Sequence, residues 1–243
     1  MSDRREVAER LVALLASELA DGAVVATGVA SQLAILAIAV ARATHAPGLR
    51  YLACVGAMDP NLEVLHDSPE DLRYLDGRTT EVAIPDLFDH ARRGRIDTVF
   101  FGAAQVDGRG DTNMSAIGTL ARPKVKLPGV AGAASLRRWV KRPILVVPKH
   151  DLRTLVRQVD VASTSDASRS TRLYTNLGVF DLSARGARLS ARHPGIAVEE
   201  IAERTGFAFH HDGEVPFTMA PDPVTLAAIR RIDPRELRVE HLG

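Results

Sequence analysis

A single cysteine, Cys54, stands in 243 residues, which excludes an intramolecular disulfide and any zinc site built from several thiolates. Aromatic residues make up only 5% of the chain, with no interleaving of aromatic and basic side chains of the kind that stacks nucleobases. Neither charge sign is in excess: 31 Lys and Arg against 30 Asp and Glu leave a formal net charge of +1. That balance argues against a nucleic-acid scaffold. No long apolar run is unbroken. The most apolar stretch, 23–41, is interrupted by Gly28, Ser31 and Gln32, so it reads as buried core and not as a membrane span. The first ten residues, MSDRREVAER, carry both charge signs and no apolar segment, so no secretory signal and a cytoplasmic location are expected.

What remains is an ordinary globular composition, 46% hydrophobic and 25% charged, in a length suited to one large domain. Small aliphatic residues dominate, which suits layered α/β packing. Val7, Leu11, Leu14, Leu15 and Leu19 fall at helical spacing, predicting an amphipathic helix over 5–19. A strand over 23–27, the turn residue Gly28, a helix over 30–44 and a strand over 49–55 then form a βαβ unit. Its glycine turn lies at the carboxyl end of the first strand, where parallel sheets bind ligands. Further strands are predicted over 96–101, 143–148, 156–162 and 173–182. Helices are predicted over 85–93, over 198–205 with Gly206 as its C-cap, and over 223–232. The Ser/Thr-rich run 163–171 reads as a mobile loop. The alternation predicts an α/β fold with a mostly parallel sheet flanked by helices, in a single domain spanning 1–243.

Two glycine-rich turns are the chemical candidates. In the first, 102–113 (GAAQVDGRGDTN), Gly102 follows a buried strand, so a ligand can approach the backbone without a Cβ in the way. Gln105, Asp107 and Asn113 add polar groups. In the second, 128–134 (PGVAGAA), Gly129, Gly132 and Ala133 leave backbone N–H groups accessible to an oxyanion or phosphate. No Lys-Ser/Thr pair follows it, so it is not a P-loop. The Arg-Gly-Asp tripeptide at 109–111 is accidental. His210-His211-Asp212 lacks a third metal ligand, and no metal is expected. The Arg137-Arg138-Trp139 and Lys141-Arg142 cluster reads as a solvated, positive helix end, with ligand phosphates or a partner chain as the functional alternative. His45, His66, His90 and His150 show no partner arrangement.

The first turn resembles the GGAQxDxxGNxN segment of the B-type subunits of family I CoA-transferases, the glutaconate CoA-transferase group in particular. The second sits where that family has its GxGG turn. YTNLGVFDL at 174–182, His193-Pro194-Gly195 and Asp222-Pro223 with Ile232-Asp233-Pro234 follow in the same order, over nearly the whole chain. The resemblance implies a fold akin to ribose-5-phosphate isomerase and glucosamine-6-phosphate deaminase. It also implies an A-type partner subunit in an α2β2 assembly, with the active site at the A/B interface. No cofactor is implied, because coenzyme A enters as part of the acyl-CoA substrate. In the family, a glutamate of the B-type subunit attacks the acyl-CoA carbonyl and forms a glutamyl-CoA thioester by way of an anhydride.

Here the strand that carries that glutamate reads Leu52-Ala53-Cys54-Val55-Gly56-Ala57-Met58-Asp59. Gly56, Met58 and Asp59 keep the register, and Cys54 takes the position of the glutamate. A thiol cannot form the acyl anhydride, so the usual cycle cannot run from this chain. Cys54 is either a small buried hydrophobe or an acyl-accepting thiol with a lowered pKa. Ala131 replaces the middle glycine of the GxGG pattern. A related group, the steroid-ring-cleaving CoA hydrolases, dispenses with this glutamate and uses one from the A-type partner for a retro-Claisen ring opening. Three readings follow: a B-type (beta) chain acting on an acyl-CoA by transfer, a hydrolase chain using a base from its partner, or a non-catalytic chain that completes the partner's pocket.

Overall fold

The computed structural model describes residues 3–28, 31–166 and 168–242. It has the expected α/β class, with a large, mostly parallel central sheet flanked by helices. The chain divides into two compact units. One runs to Gly102 and adds Trp139–Pro143 and Met219–Gly243; the other holds Ala103–Arg138 and Ile144–Thr218.

In the first unit, strand Val24–Thr27 lies between two parallel neighbours, Arg50–Ala53 and Thr98–Phe101. All four residues of Thr98–Phe101 are buried, and so are the last three of the other two strands. Short antiparallel strands, Ala57–Met58 and Thr80–Glu81, extend the edge. Helix Gln32–Ala43 is buried from Gln32 to Ala41, as an all-round apolar helix must be. Helices Arg4–Ser17 and Pro223–Ile232 pack on it with their apolar faces. The Asp222 carboxylate caps the last of these, accepting from the N–H groups of Val224 and Thr225. Under these helices Arg238, 1% exposed, is held by the buried carboxylates of Glu9 and Asp233, both at 3.0 Å.

In the second unit, the Ile144–Val146 part of strand Arg142–Val146 pairs in parallel with Thr171–Tyr174, which continues antiparallel to Gly178–Ser183 and Gly186–Arg192. Phe209–His210 pairs in parallel beside Gly186–Arg192, and helix Val198–Arg204 precedes it. The unit also holds two separate hairpins, Gln105–Val106 with Thr112–Asn113 and Ala116–Thr119 with Arg122–Lys126.

Four expectations need correction. Residues 156–162 form no strand; Leu155 makes only an isolated bridge to Val106. The strand expected over 173–182 is two strands, broken where the Thr175 hydroxyl accepts from the N–H groups of Leu177 and Gly178. Gly206 is not a left-handed cap. It is required because a Cβ there would lie 2.6 Å from the Leu155 carbonyl oxygen. Arg137 is buried, not solvated.

Candidate functional site

The three strand ends of the first unit bring four of the predicted residues to one edge. Thr27 pairs with Phe100 and Ala26 with Leu52, so Gly28, Gly102 and Cys54 all follow the carboxyl ends of adjacent parallel strands. Gly56 closes the turn that begins at Cys54, its N–H donating to the Ala53 carbonyl at 3.0 Å. Gly56 has φ of +87°, and a Cβ would meet the Val82 carbonyl oxygen at 3.0 Å, so this position needs glycine.

Cys54 is half-buried, and its Sγ donates to the Pro69 carbonyl at 3.1 Å. Burial pushes the thiol up to about 11, the Glu70 carboxylate adds to the rise, and a backbone hydrogen bond partly opposes it. At neutral pH it is therefore a neutral thiol. Nearby, the Tyr51 hydroxyl shares a 2.8 Å hydrogen bond with Thr27 Oγ1, and the Tyr74 hydroxyl accepts from the His66 N–H. Burial pushes both phenols upward, Tyr74 to about 12. These are neutral groups. Asp59, in register beyond Cys54, is occupied: its carboxylate accepts from the Tyr51 N–H and pairs with Arg50.

In the second unit, the polar residues of the first glycine turn bond to the protein itself. Gln105 and Asn113 face each other in the short hairpin. Asn113 Nδ2 donates to Gln105 Oε1 and to the Ala116 carbonyl, both at 2.7 Å, while its Oδ1 accepts from the N–H groups of Ser115 and Ala116. Gln105 Oε1 also accepts from the Asp160 N–H. The buried Asp107 carboxylate accepts from the N–H groups of Arg109 and Asp111, an Asx-type brace for the turn. Desolvation raises its pKa. These three side chains shape the loop, and its exposed chemistry is left to backbone and glycine.

The second turn is tied to the first, since the Gly129 N–H donates to the Met114 carbonyl at 2.8 Å. The Ala133 N–H is used within the turn, by the Val130 carbonyl. Gly129 has φ of +106°, and Ala131 has φ of +42°, a conformation that disfavours a Cβ. The glycine of the related pattern at position 131 thus has a backbone reason.

Sequence reasoning missed the burial and the partners of two histidines, His150 and His193. His150 Nδ1 and Nε2 lie 2.9 and 2.8 Å from the hydroxyls of Thr175 and Thr205. His193 Nε2 donates to the Thr175 carbonyl at 3.0 Å. Their partners are 18 to 55 residues away along the chain, so no local pattern announces them.

A family model described as coenzyme A transferase matches residues 8–204. The B-type chain of the 3-oxoadipate CoA-transferase of Pseudomonas knackmussii is 29% identical over 244 residues, covering 93% of each chain. The IpdB subunit of the cholesterol ring-cleaving hydrolase of Rhodococcus jostii is 32% identical over 168 residues, 63% of this chain and 65% of that one. Among solved structures, the decarboxylase AibA/AibB matches with a TM-score of 0.94 and 62% identity, covering 96% of both chains. Other structures of that decarboxylase carry one cysteine replaced by Asn, Ala, Val or Ser.

Proposed function

The chain belongs to the coenzyme A transferase family, as the B-type member of a two-subunit enzyme, and on that premise we propose that its reaction is decarboxylation of a CoA thioester carrying a second carboxyl group. The observation that carries this reading is the likeness to the decarboxylase AibA/AibB over nearly all of both chains. Its identity is about twice that to the transferase relative, 62% against 29%. The family match runs through both compact units, which supports reading the chain as a single domain. An acyl-CoA substrate and a lone cysteine support a cytoplasmic site of action.

The chemistry fits the residues. Loss of CO2 breaks a C–C bond and leaves its electron pair on carbon. The thioester carbonyl takes up that pair as an enolate, directly or through a conjugated double bond, and a proton then closes the cycle. A carboxylate loses CO2 more readily in surroundings that do not solvate its charge. Cys54 suits that task as a neutral thiol in the position of the family glutamate. A glutamate there would attack the thioester and would set a second negative charge beside the departing carboxylate. Gly28, Gly56 and Gly102 keep the carboxyl edge of the strands open to the acyl chain. Gln105, Asp107 and Asn113 hold the first glycine turn in shape. In the second turn Gly129 and Ala133 spend their N–H groups on the fold, on the Met114 and Val130 carbonyls.

The test is direct. The chain is produced with its A-type partner and given CoA esters whose second carboxyl group sits on the α carbon of the thioester, or on the γ carbon of an α,β-unsaturated one. Release of CO2 with retention of the CoA ester is expected. CoA transfer to added acetate, or free CoA from hydrolysis, without CO2 would overturn the reading; hydrolysis would favour the likeness to the IpdB chain.

A further inference from the structure

Arg137 stands in the short helix Ala133–Trp139 that follows the second glycine turn, and only 1% of it is exposed. Its Nη1 donates to Thr164 Oγ1 at 2.8 Å and its Nη2 to Thr171 Oγ1 at 3.4 Å. Its Nε has no hydrogen-bond partner. Among the described residues no carboxylate lies within ion-pair distance of it; Asp166, Asp111 and Asp107 act only through their fields. Burying a guanidinium on two hydroxyls is costly, and an apolar side chain of similar length would fill the space at less expense. Packing alone does not account for it.

The hydrogen bonds beyond it close a circuit. Thr164 Oγ1 lies 2.6 Å from Thr112 Oγ1, and the backbones of Thr164 and Thr112 are also bonded. Thr112 precedes Asn113 at the end of the first glycine turn. The next residue, Met114, has its N–H on Ser163 Oγ and its carbonyl on the N–H of Gly129. Gly129 opens the second turn, whose helix returns to Arg137. Gly110 leaves room for the guanidinium, since a Cβ there would stand 3.3 Å from Nη2. A planar fork of donors holds such a circuit at fixed spacing better than a flexible ammonium does.

We propose that Arg137 is the positioning residue that sets the spacing of the two glycine turns through Thr164 and Thr112, and so the fit of the CoA thioester between them. This rests on the acyl-CoA reading above. Without Arg137 the turns must be ordered by the ligand itself. Fixing about one further residue's worth of backbone freedom weakens binding by roughly tenfold.

The experiment compares Arg137→Met, Arg137→Lys, Thr164→Val and the Met/Val double variant in the two-subunit complex. It measures CoA affinity by calorimetry, KM and kcat with the ester, and amide exchange over 105–115 and 128–133. Arg137→Met is expected to raise Kd and KM about tenfold with a smaller effect on kcat, and to speed exchange in both turns together. Arg137→Lys falls between. Thr164→Val, which keeps the cation, gives the same pattern, and the double variant is no worse than Arg137→Met alone. A lowered melting temperature with unchanged Kd would overturn the proposal, as would exchange that rises in one turn only. Should Arg137→Met not fold, Thr164→Val decides by the same readouts. If the parent complex binds no CoA, the acyl-CoA reading fails, and the exchange data still show whether Arg137 couples the turns.

Discussion

The Cys54 thiol donates to the main-chain carbonyl of Pro69, 3.1 Å away, from the first position after strand Arg50–Ala53. Burial, with the Glu70 carboxylate adding to it, holds the sulfur in its protonated form and makes Cys54 a poor nucleophile. Alkylation by iodoacetamide is therefore expected to be slow at pH 7–8 and to climb as pH rises toward 11, read by mass spectrometry of the intact chain. Rapid, pH-independent labelling at neutral pH would show a reactive thiolate instead.

A residue needed for its neutrality tolerates neutral replacement. Cys54→Ala in the two-subunit complex should keep the rate of CO2 release within a few-fold of the parent. Cys54→Glu restores the charge of the transferase pattern and should lower that rate by about 100-fold or more, an effect of roughly 3 kcal/mol on the barrier. Loss of several orders of magnitude in Cys54→Ala would make the thiol a reacting group.

Ala131 bears a Cβ at φ of +42°, and the left-handed region costs a non-glycine residue about 1–2 kcal/mol. Glycine gives part of that back through the greater freedom of the unfolded chain. Ala131→Gly should stabilise the protein by about 0.5–1 kcal/mol, read as a higher denaturation midpoint in urea. Gly129→Ala, at φ of +106°, should shift the midpoint the other way.

Much of this was legible because local patterns carried it. The helix over Pro223–Ile232 is announced by the Asp222-Pro223 cap, and Gly28 and Gly102 follow β-branched or aromatic runs that can only be buried strands. What escaped depends on partners far along the chain. Gln105 and Asn113 look like ligand-binding amides in sequence, yet they bond to each other and to the backbone of Ala116 and Asp160. Arg137 sits in a run of basic residues, and only the hydroxyls of Thr164 and Thr171 reveal it as buried. Residues 156–162 have strand-like valines, but after the Val156 N–H meets the Val106 carbonyl the pairing goes no further, so propensity is overruled by the lack of a ladder. The hairpin Ala116–Thr119 with Arg122–Lys126 has an outer strand exposed at every position and containing Pro123, the opposite of a buried-strand signal.

His150 couples stability to pH. Burial, helped by Arg204 and opposed by Asp151, lowers its pKa to about 3, against 6.5 for an unperturbed imidazole. Between those values the unfolded chain binds a proton that the folded chain refuses, so unfolding gains as pH falls. The contribution of the neutral ring is complete above about pH 6.5 and is lost progressively toward pH 3. His150→Gln removes this titration along with the hydrogen bonds to Thr175 and Thr205, which are worth about 1–3 kcal/mol where a buried partner is left unsatisfied. At pH 8 the variant should be less stable than the parent by about that amount. By pH 4.5 the gap should close or reverse, because only the parent carries the imidazole that must stay unprotonated. Urea midpoints at pH 8, 6 and 4.5 measure both arms. Parallel pH profiles for the two proteins would mean that His150 is protonated in the fold without cost.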